Sequence, residues 1–221
     1  MTTAIIGVGN LGSTLARHLV RGGEDVVLAA RDDAHSAALA QELGPLARSA
    51  SVGQAIQASQ TVVFAVWLDA ARELLSVTDN SEFLKGKVVV DPTNPIKLGD
   101  NGALMRSLPE GQSSGSVVAG LLPPEAHYVK AFGSLGAQSL AGSANRSPRR
   151  AVLFYATDDA IAAASVQRLI STAGFDPVSA GGLKDVARIE GPDGDLSQGG
   201  LNGALLNRDE ARAALASVPV A

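Results

Sequence analysis

Residues 2–20 read TTAIIGVGNLGSTLARHLV, and this stretch decides the fold. A short apolar strand, about residues 3–7, runs into Gly7-x-Gly9-x-x-Gly12, and a helix follows from Asn10 to about Arg21. In such a turn the first glycine permits a tight bend, the second lets the backbone approach a pyrophosphate, and the third lets helix and strand pack closely. The amino terminus of the helix then faces the phosphate charge. The stretch predicts a dinucleotide-binding turn, made of Gly7, Val8, Gly9, Asn10, Leu11 and Gly12.

The second predicted strand leads into Ala30-Arg31, where a site for NAD(H) usually has an acidic residue. An acid accepts a hydrogen bond from the ribose 2′-hydroxyl and repels a 2′-phosphate, whereas a guanidinium group is always charged and binds phosphate through two parallel hydrogen bonds. Arg31 therefore indicates NADP(H). Alternatively, Arg31 is a solvated loop charge and Asp32 or Asp33 takes the usual role. His35, one helical turn further on, is a candidate for a second phosphate contact, with a solvated surface histidine as the alternative.

Strands and helices alternate along the rest of the chain. The remaining predicted strands cover residues 25–29, 61–67, 86–91, 128–132, 151–156 and 175–179. The remaining predicted helices cover residues 33–43, 51–57, 68–75, 117–122, 158–171 and 209–217, with loops at 91–102 and 110–116 and a glycine-rich tail at 181–203. We predict an α/β fold, a Rossmann-like doubly wound and mostly parallel sheet with a small C-terminal extension. Residues 1–180 are expected to form the NADP-binding domain, and residues 181–221 a lid, a dimer contact or a disordered end.

The composition excludes several classes of site. The chain has no cysteine, which excludes disulfides, thiolate nucleophiles and zinc–thiolate or iron–sulfur sites. Its three histidines, His18, His35 and His127, are scattered, so no metal site is expected. The net charge of −4 argues weakly against a nucleic-acid or membrane partner. Since the first strand starts close to Met1 and no apolar stretch approaches the roughly 20 residues of a bilayer span, we expect a cytoplasmic protein.

Ligands of doubly wound folds bind at the carboxyl ends of the strands, and several residues are candidates on that ground. Ala65, Val66 and Trp67 end an apolar strand and are expected to line the cofactor, with a half-buried packing role as the alternative for Trp67. Asn94, after the next strand, is expected near the nicotinamide, where its amide can hold a carboxamide or the acceptor. The alternative for Asn94 is a plain Asn-Pro turn.

The strand at residues 128–132 leads into Phe132-Gly133-Ser134, which we expect beside the acceptor. Lys130, inside this strand, is either a catalytic cation or an edge-facing partner in a salt bridge. No pair of residues has the pattern of a general acid and base, so no catalytic residue is assigned. This absence suits hydride transfer, which requires above all that two carbon atoms are held about 3–3.5 Å apart.

A competing motif occurs at Gly111-Gln-Ser113-Ser-Gly115, which matches the G-x-S-x-G nucleophile elbow of hydrolases. That elbow works only between a strand and a helix, with an acid and a histidine following in the chain. The residues before it, RSLPE, do not predict a strand, and His127 follows too closely to lie on a later loop of its own. A flexible loop is the better interpretation.

Several segments together resemble one family: IIGVGNLGSTLA, AARDDAH, VVFAVW, VVVDPTNPI, VKAFGSLGAQSL, AVLFYATDD and GFDPVSAGGLKDVARIE, in this order. The family is that of the NADPH-dependent reductases of coenzyme F420, a deazaflavin. The resemblance implies a Rossmann-like domain with a small C-terminal part, which is often dimeric and passes a hydride between NADPH and the deazaflavin. It further implies that Asn10 and Leu11 meet the pyrophosphate, and that Arg31, with His35 in place of a basic residue, meets the 2′-phosphate.

The chain departs from the family on the acceptor side. Gly133 stands where family members have His or Asn, and the polar stretch IEGPDGDLSQGGLNGALLNRDE replaces a hydrophobic C-terminal helix. We therefore predict an NADP(H)-dependent oxidoreductase with a small-molecule redox acceptor, coenzyme F420, and a homodimeric assembly. The alternatives are a reductase of another small acceptor (flavin or ferric iron, quinone or imine) and a non-catalytic NADP(H)-sensing protein.

Overall fold

The computed structural model describes residues 1–99 and 102–217. The strands within these residues are β1 (Thr2–Ile6), β2 (Asp25–Ala29), β3 (Ala47–Ser49), β4 (Thr61–Phe64), β5 (Val88–Asp91), β6 (Ile96–Leu98), β7 (Leu104–Arg106), β8 (His127–Ala131), β9 (Val152–Ala156) and β10 (Asp176–Gly181). The helices are α1 (Asn10–Arg21), α2 (Asp33–Leu43), α3 (Val52–Gln57), α4 (Leu68–Ser76), α5 (Thr78–Phe83), α6 (Ser114–Leu121), α7 (Ala137–Ser143), α8 (Ala160–Thr172) and α9 (Arg208–Ala216), with a 3-10 helix at Leu183–Ile189. None of the described helices is long and apolar enough to cross a membrane.

Eight strands form one sheet in the order β10-β9-β8-β5-β4-β1-β2-β3. All neighbouring strands run parallel except β8 and β9, which are antiparallel. The strand order reverses between β1 and β4, and such a reversal opens a crevice at the carboxyl ends of the strands. The predicted Rossmann-like, mostly parallel α/β fold is confirmed.

The core consists of one apolar layer on each face of this sheet. Successive side chains of a strand point to opposite faces, so Ile5 belongs to the apolar cluster that includes side chains of α1, α2 and α8, while Ala4 and Ile6 belong to the other cluster, with Ile56 and Phe64. Strands β1, β4 and β5 are buried on both faces, which explains why they read as unbroken apolar runs.

Residues 91–102 were predicted as a loop, and this prediction is wrong for part of the segment. Strand β6 pairs antiparallel with β7, with Lys97 opposite Met105, and makes a separate two-stranded hairpin. The residues between Pro95 and Gly99 are extended, which the Pro, Asn and Gly content concealed. Residues 100 and 101 of the predicted loop lie outside the described residues. The short elements β3, α5 and α7 were not predicted either.

The glycine-rich tail at 181–203 is neither extended nor loose in the described structure. After the 3-10 helix its backbone folds onto itself, and a Cβ at Gly194 would lie 2.5 Å from the Ala187 carbonyl oxygen. A Cβ at Gly199 would lie 2.2 Å from the carbonyl oxygen of Pro192. The glycines are required because backbone packs against backbone there. The 3-10 helix packs on β9 and β10, whereas the proposed domain boundary at residue 180 remains a prediction, and residues 218–221 lie outside the described residues.

His18 is a buried titratable group inside α1, with 7 % of its surface exposed. Its Nε2 lies 3.0 Å from the Leu140 carbonyl oxygen of α7, and its ring meets Phe175 edge-on. Since a carbonyl only accepts, Nε2 carries the hydrogen. Nδ1 has no hydrogen-bond partner among the described residues. Burial lowers the pKa of His18 below 6.5, and nearby Arg21 adds to this effect.

We expect the free energy of unfolding to fall as the pH drops below 6.5, because the unfolded histidine then binds a proton that the folded one resists. The loss is at most about 1.4 kcal/mol per pH unit within this window. Urea unfolding at about pH 7.5 and about pH 5.5 measures it. His18→Gln, which keeps a donor for the Leu140 carbonyl, should reduce the loss, whereas His35→Gln on the surface should not. An unchanged loss in His18→Gln would contradict the assignment.

Candidate active site

The glycine turn brings β1 and α1 into backbone contact. Gly7 has φ +97°, a value that favours glycine, and its N–H donates to the Ala29 carbonyl oxygen at 2.7 Å. A Cβ at Gly12 would lie only 1.9 Å from the Gly7 carbonyl oxygen. Gly9 differs, because a Cβ there would meet nothing within 4 Å. The turn is therefore closed at Gly7 and Gly12 and open at Gly9.

The open position coincides with the amino terminus of α1. Gly9 is the N-cap residue, so no side chain caps the helix, and its first turn contains no acidic residue. The first N–H groups of a helix need partners from outside the helix, and they favour an anion. The described residues at this turn, including Asn10 and Leu11, thus fit a nucleotide pyrophosphate.

Arg31 follows β2 at the same edge of the sheet. It is exposed and forms no ion pair with a described residue. Asp32 is engaged elsewhere, because it caps α2 and accepts from the Ala34 N–H at 3.0 Å. This leaves the guanidinium group available for an anion and weakens the alternative in which Asp32 binds the ribose. His35 is exposed on the first turn of α2, with no contact that assigns it a role.

Ala65, Val66 and Trp67 follow β4 beside the glycine turn. A Cβ at Gly7 would lie 2.5 Å from the Ala65 carbonyl oxygen, so this loop touches the turn. Trp67, predicted either to line the cofactor or to be a half-buried packing residue, is 53 % exposed. It is the single tryptophan of the chain and lies near the glycine turn, so it is suited to report nucleotide binding by fluorescence.

A cleft of about 600 Å³ lies at the carboxyl end of the sheet between the hairpin β6–β7, the loop after β8 and the glycine-rich tail. Its apolar lining comes from Ile96, Leu104, Met105, Leu135 and Pro192. Its polar lining includes Asn94, Arg106, Ser134, Asp193, Ser197 and Gln198, and Gly133 also contributes to its surface. Apolar walls with a few polar groups are typical of small-molecule sites.

Asn94 joins two walls of this cleft. Its Nδ2 donates to the Gly133 carbonyl oxygen at 2.9 Å, and its Oδ1 accepts from the Gly191 N–H at 2.8 Å. The side chain thus ties the loop after β8 to the tail, a role that neither sequence interpretation of Asn94 included. One amide hydrogen and one lone pair remain for a ligand.

Gly133 is required by close packing. A Cβ there would lie 2.7 Å from the Pro92 carbonyl oxygen and 3.4 Å from Asn94 Oδ1. A larger residue would therefore displace the segment that carries Asn94. Its neighbour Phe132, predicted beside the acceptor, is fully buried in the core and does not line the cleft, so that prediction is corrected. Phe132 has φ +65°, which turns the chain sharply at the end of β8.

Lys130 is buried within β8, and all its hydrogens have partners. Its Nζ lies 3.0 Å from Asp91 Oδ2, 2.9 Å from Ser114 Oγ and 3.3 Å from Glu190 Oε1, and it also donates to the Thr93 carbonyl oxygen. The predicted salt bridge exists, but the edge-facing position is wrong, because β8 lies between β5 and β9. An ammonium group with this many partners has no hydrogen left for a substrate.

Glu190 and Tyr128 complete the buried cluster of hydrogen-bonded residues around Lys130. Glu190 accepts from the backbone N–H groups of Ser114 at 3.0 Å and Gly115 at 2.7 Å, at the start of α6. Desolvation raises the pKa of Tyr128 well above its usual value, and the Asp91 carboxylate adds to this. The phenol therefore stays protonated and donates to Asp91 Oδ2 at 2.9 Å.

The G-x-S-x-G match is a helix start and not a nucleophile elbow. Ser113 caps α6 and accepts from the Ser116 N–H at 3.1 Å, and the residues just before it are turns. Helix α6 consequently begins at Ser114, three residues earlier than predicted. The Ser113 hydroxyl has no histidine partner among the described residues.

The comparisons with known proteins agree with the nucleotide-binding half of the site. Residues 2–95 match the family model described as NADP oxidoreductase, coenzyme F420-dependent, which confirms the resemblance over these residues. This part of the chain is therefore similar to NADP-dependent oxidoreductases. The chain is also 27 % identical to rat metalloreductase STEAP3 over 186 residues, which are 84 % of this chain and 35 % of that protein. The chain thus spans about a third of the length of this curated relative.

Two solved structures share the fold. A hypothetical protein from Sinorhizobium meliloti is 29 % identical, with a TM-score of 0.79 over 95 % of this chain and 96 % of that chain. A candidate F420-dependent NADP reductase from Arthrobacter sp. FB24 is 24 % identical, with a TM-score of 0.71 over 83 % of this chain and 86 % of that chain. Both superpose over nearly the whole Rossmann-like architecture.

The contrast between Gly9 and Gly12 is testable. Gly9→Ala should keep the unfolding midpoint, because φ is −67° and the new Cβ meets nothing, yet it should weaken NADPH binding roughly tenfold or more by filling the open position. Gly12→Ala should lower both stability and binding. Thermal unfolding and titration of Trp67 fluorescence measure the two effects. Gly120→Ala in α6, also without a close contact, serves as the control. Wild-type NADPH affinity in Gly9→Ala would refute this description of the turn.

Proposed function

We propose that the protein is an NADP(H)-dependent oxidoreductase that transfers a hydride between NADPH and the deazaflavin coenzyme F420. One observation carries the proposal: the open helix start at Gly9 and the apolar cleft of about 600 Å³ lie along the same carboxyl edge of the sheet. A dinucleotide on the glycine turn can extend along this edge toward the cleft. An acceptor in the cleft would then lie beside the nicotinamide.

The nucleotide would be held by groups that differ in chemistry. The backbone at Gly9, Asn10 and Leu11 suits the pyrophosphate, since the helix start there has no side-chain cap. Arg31 suits the 2′-phosphate, with His35 beside it on α2. When bound, NADPH supplies the hydride from its nicotinamide ring. The remaining contribution of these residues is binding and orientation.

The acceptor would be held by shape and apolar contact. Ile96, Leu104, Met105, Leu135 and Pro192 provide apolar surface, as a planar aromatic ring requires. Few polar groups near the cleft remain free to bind a ligand. All hydrogens of the Lys130 ammonium have partners, and Asn94 in the lining retains half of its hydrogen-bonding capacity. Such a site favours a reaction that depends on holding two carbon atoms close together.

A reductase of another small acceptor is the second candidate. The similarity to rat metalloreductase STEAP3 extends over 84 % of this chain, and the apolar cleft lining is compatible with a flavin, quinone or imine as well. A non-catalytic NADP(H) sensor is the third. A cytoplasmic location and a homodimer also belong to this proposal. The exposed hairpin residue Leu98, which does not line the cleft, offers apolar surface for a second copy.

The first test mixes the purified protein with NADPH and coenzyme F420 without oxygen and follows the visible absorbance of the deazaflavin. We expect bleaching with NADPH and little with NADH, because Arg31 favours the 2′-phosphate. Parallel samples contain a flavin, a quinone or a cyclic imine instead. NADPH binding without bleaching of F420 would discard the deazaflavin, and turnover of another acceptor would support the second candidate.

Arg31→Ala tests the cofactor preference. Because hydrogen bonds to charged groups contribute about 1.5–3 kcal/mol, NADPH affinity should fall about 10- to 100-fold, while NADH affinity should change less than about twofold. Titration of Trp67 fluorescence measures both. Arg150→Ala, which removes an exposed arginine beside β9, is the charge-matched control. If Arg31→Ala leaves NADPH affinity unchanged and NADH binding stays poor, Arg31 does not select the cofactor.

A further inference from the structure

One polar group in the lining of the cleft has no partner. Ser134 is 4 % exposed and lines the cleft, and its Oγ forms no hydrogen bond with any described residue. Four other buried side-chain atoms of the described chain share this condition, on His18, Ser59, Ser107 and Arg168, but none of these residues lines the cleft. Buried hydroxyl groups without partners are uncommon and cost stability, so each needs an explanation.

The surroundings of Ser134 are otherwise well satisfied. The Gly133 carbonyl accepts from Asn94, and the Ser134 carbonyl accepts from the Gln198 N–H at 2.7 Å. The Gly136 N–H donates to Gln198 Oε1 at 2.9 Å. Asn94 and Gln198 thus hold the loop from both sides and hydrogen-bond its backbone. The Ser134 hydroxyl remains unused within an ordered segment, and no hydrogen bond opposes its rotation.

We infer that the Ser134 hydroxyl donates a hydrogen bond to the hydride acceptor; this inference rests on the proposed function. In the reaction a C–H bond of the reduced nicotinamide breaks, and the hydride adds to an electrophilic atom of the acceptor's conjugated system, which is a carbon in a deazaflavin and a nitrogen in a flavin. The electron pair displaced in the acceptor moves to a carbonyl oxygen or ring nitrogen at the ring edge, which then takes a proton from water. A hydrogen-bond donor at that atom stabilises the negative charge as it develops.

The inference also specifies the class of acceptor. The cleft offers apolar walls and this one free buried hydroxyl among its described lining, so it selects a planar conjugated ring with a hydrogen-bond acceptor at its edge. A deazaflavin, a flavin and a quinone meet this requirement. A hydrated metal ion, which presents no apolar ring to these walls, does not.

Ser134→Ala tests the inference with the full chain. Since the hydroxyl has no partner among the described residues, its removal should leave the unfolding midpoint unchanged or raise it slightly. It should lower kcat roughly a hundredfold with whichever acceptor the wild type reduces, with little change in the NADPH Kd. Ser59→Ala removes another unpartnered buried hydroxyl, which precedes β4 and so lies at the amino-terminal end of the strands, away from the cleft. It should change neither kcat nor the NADPH Kd.

Coenzyme F420, riboflavin and a soluble quinone are compared as acceptors, and their effect on the thermal midpoint is measured beside turnover. Equal kcat in wild type and Ser134→Ala overturns the inference and leaves the proposed function intact. If the wild type reduces riboflavin or the quinone but not F420, and Ser134→Ala loses this activity, the inference is supported and the deazaflavin is discarded. If no acceptor is reduced, a midpoint shift by F420 that Ser134→Ala abolishes supports the hydroxyl contact. Absence of turnover and of any shift overturns both proposals.

Discussion

The buried cation of Lys130 organises the part of this protein that carries the cleft. Lys130 lies between the carboxylates of Asp91 and Glu190, and its partners belong to β5, α6 and the segment that enters the glycine-rich tail. A buried ammonium group is tolerated only when its charge and its hydrogens are satisfied, so these elements must remain together around it. Because Glu190 directly precedes Gly191, the same interaction determines where the tail begins to form the wall of the cleft.

The two halves of the site depend on different physics. The nucleotide side relies on local backbone geometry, since Gly7 and Gly12 bring helix and strand into contact and Gly9 leaves the helix start open. The cleft relies on contacts between distant parts of the chain, such as Asn94 with Gly191 and Gln198 with Ser134. A substitution in the tail can therefore reshape the cleft while the nucleotide turn stays intact.

The accuracy of the sequence predictions follows the same division. The strand–turn–helix at residues 2–20 and the alternation of strands and helices were predicted well, because apolar periodicity and glycine spacing are local signals. The hairpin β6–β7 was missed, since its strands are exposed and only three residues long, which is too short for an alternating pattern to stand out. Phe132 was misplaced because its position after β8 indicated the cleft, whereas its side chain turns into the core. The structural role of Asn94 had no sequence signal, as its partner lies 97 residues away.

The sequence by itself determined the fold class, the nucleotide turn and the arginine beside it, because each depends on residues close together in the chain. Tertiary structure alone decided that Lys130 is a saturated buried cation, that Asn94 joins two walls, and that the hydroxyl of Ser134 has no partner. The physical reason is that burial and hydrogen-bond satisfaction are properties of the packed chain. A lysine, an asparagine and a serine have the same chemistry wherever they stand, and only their surroundings decide which polar atoms remain free to meet a ligand.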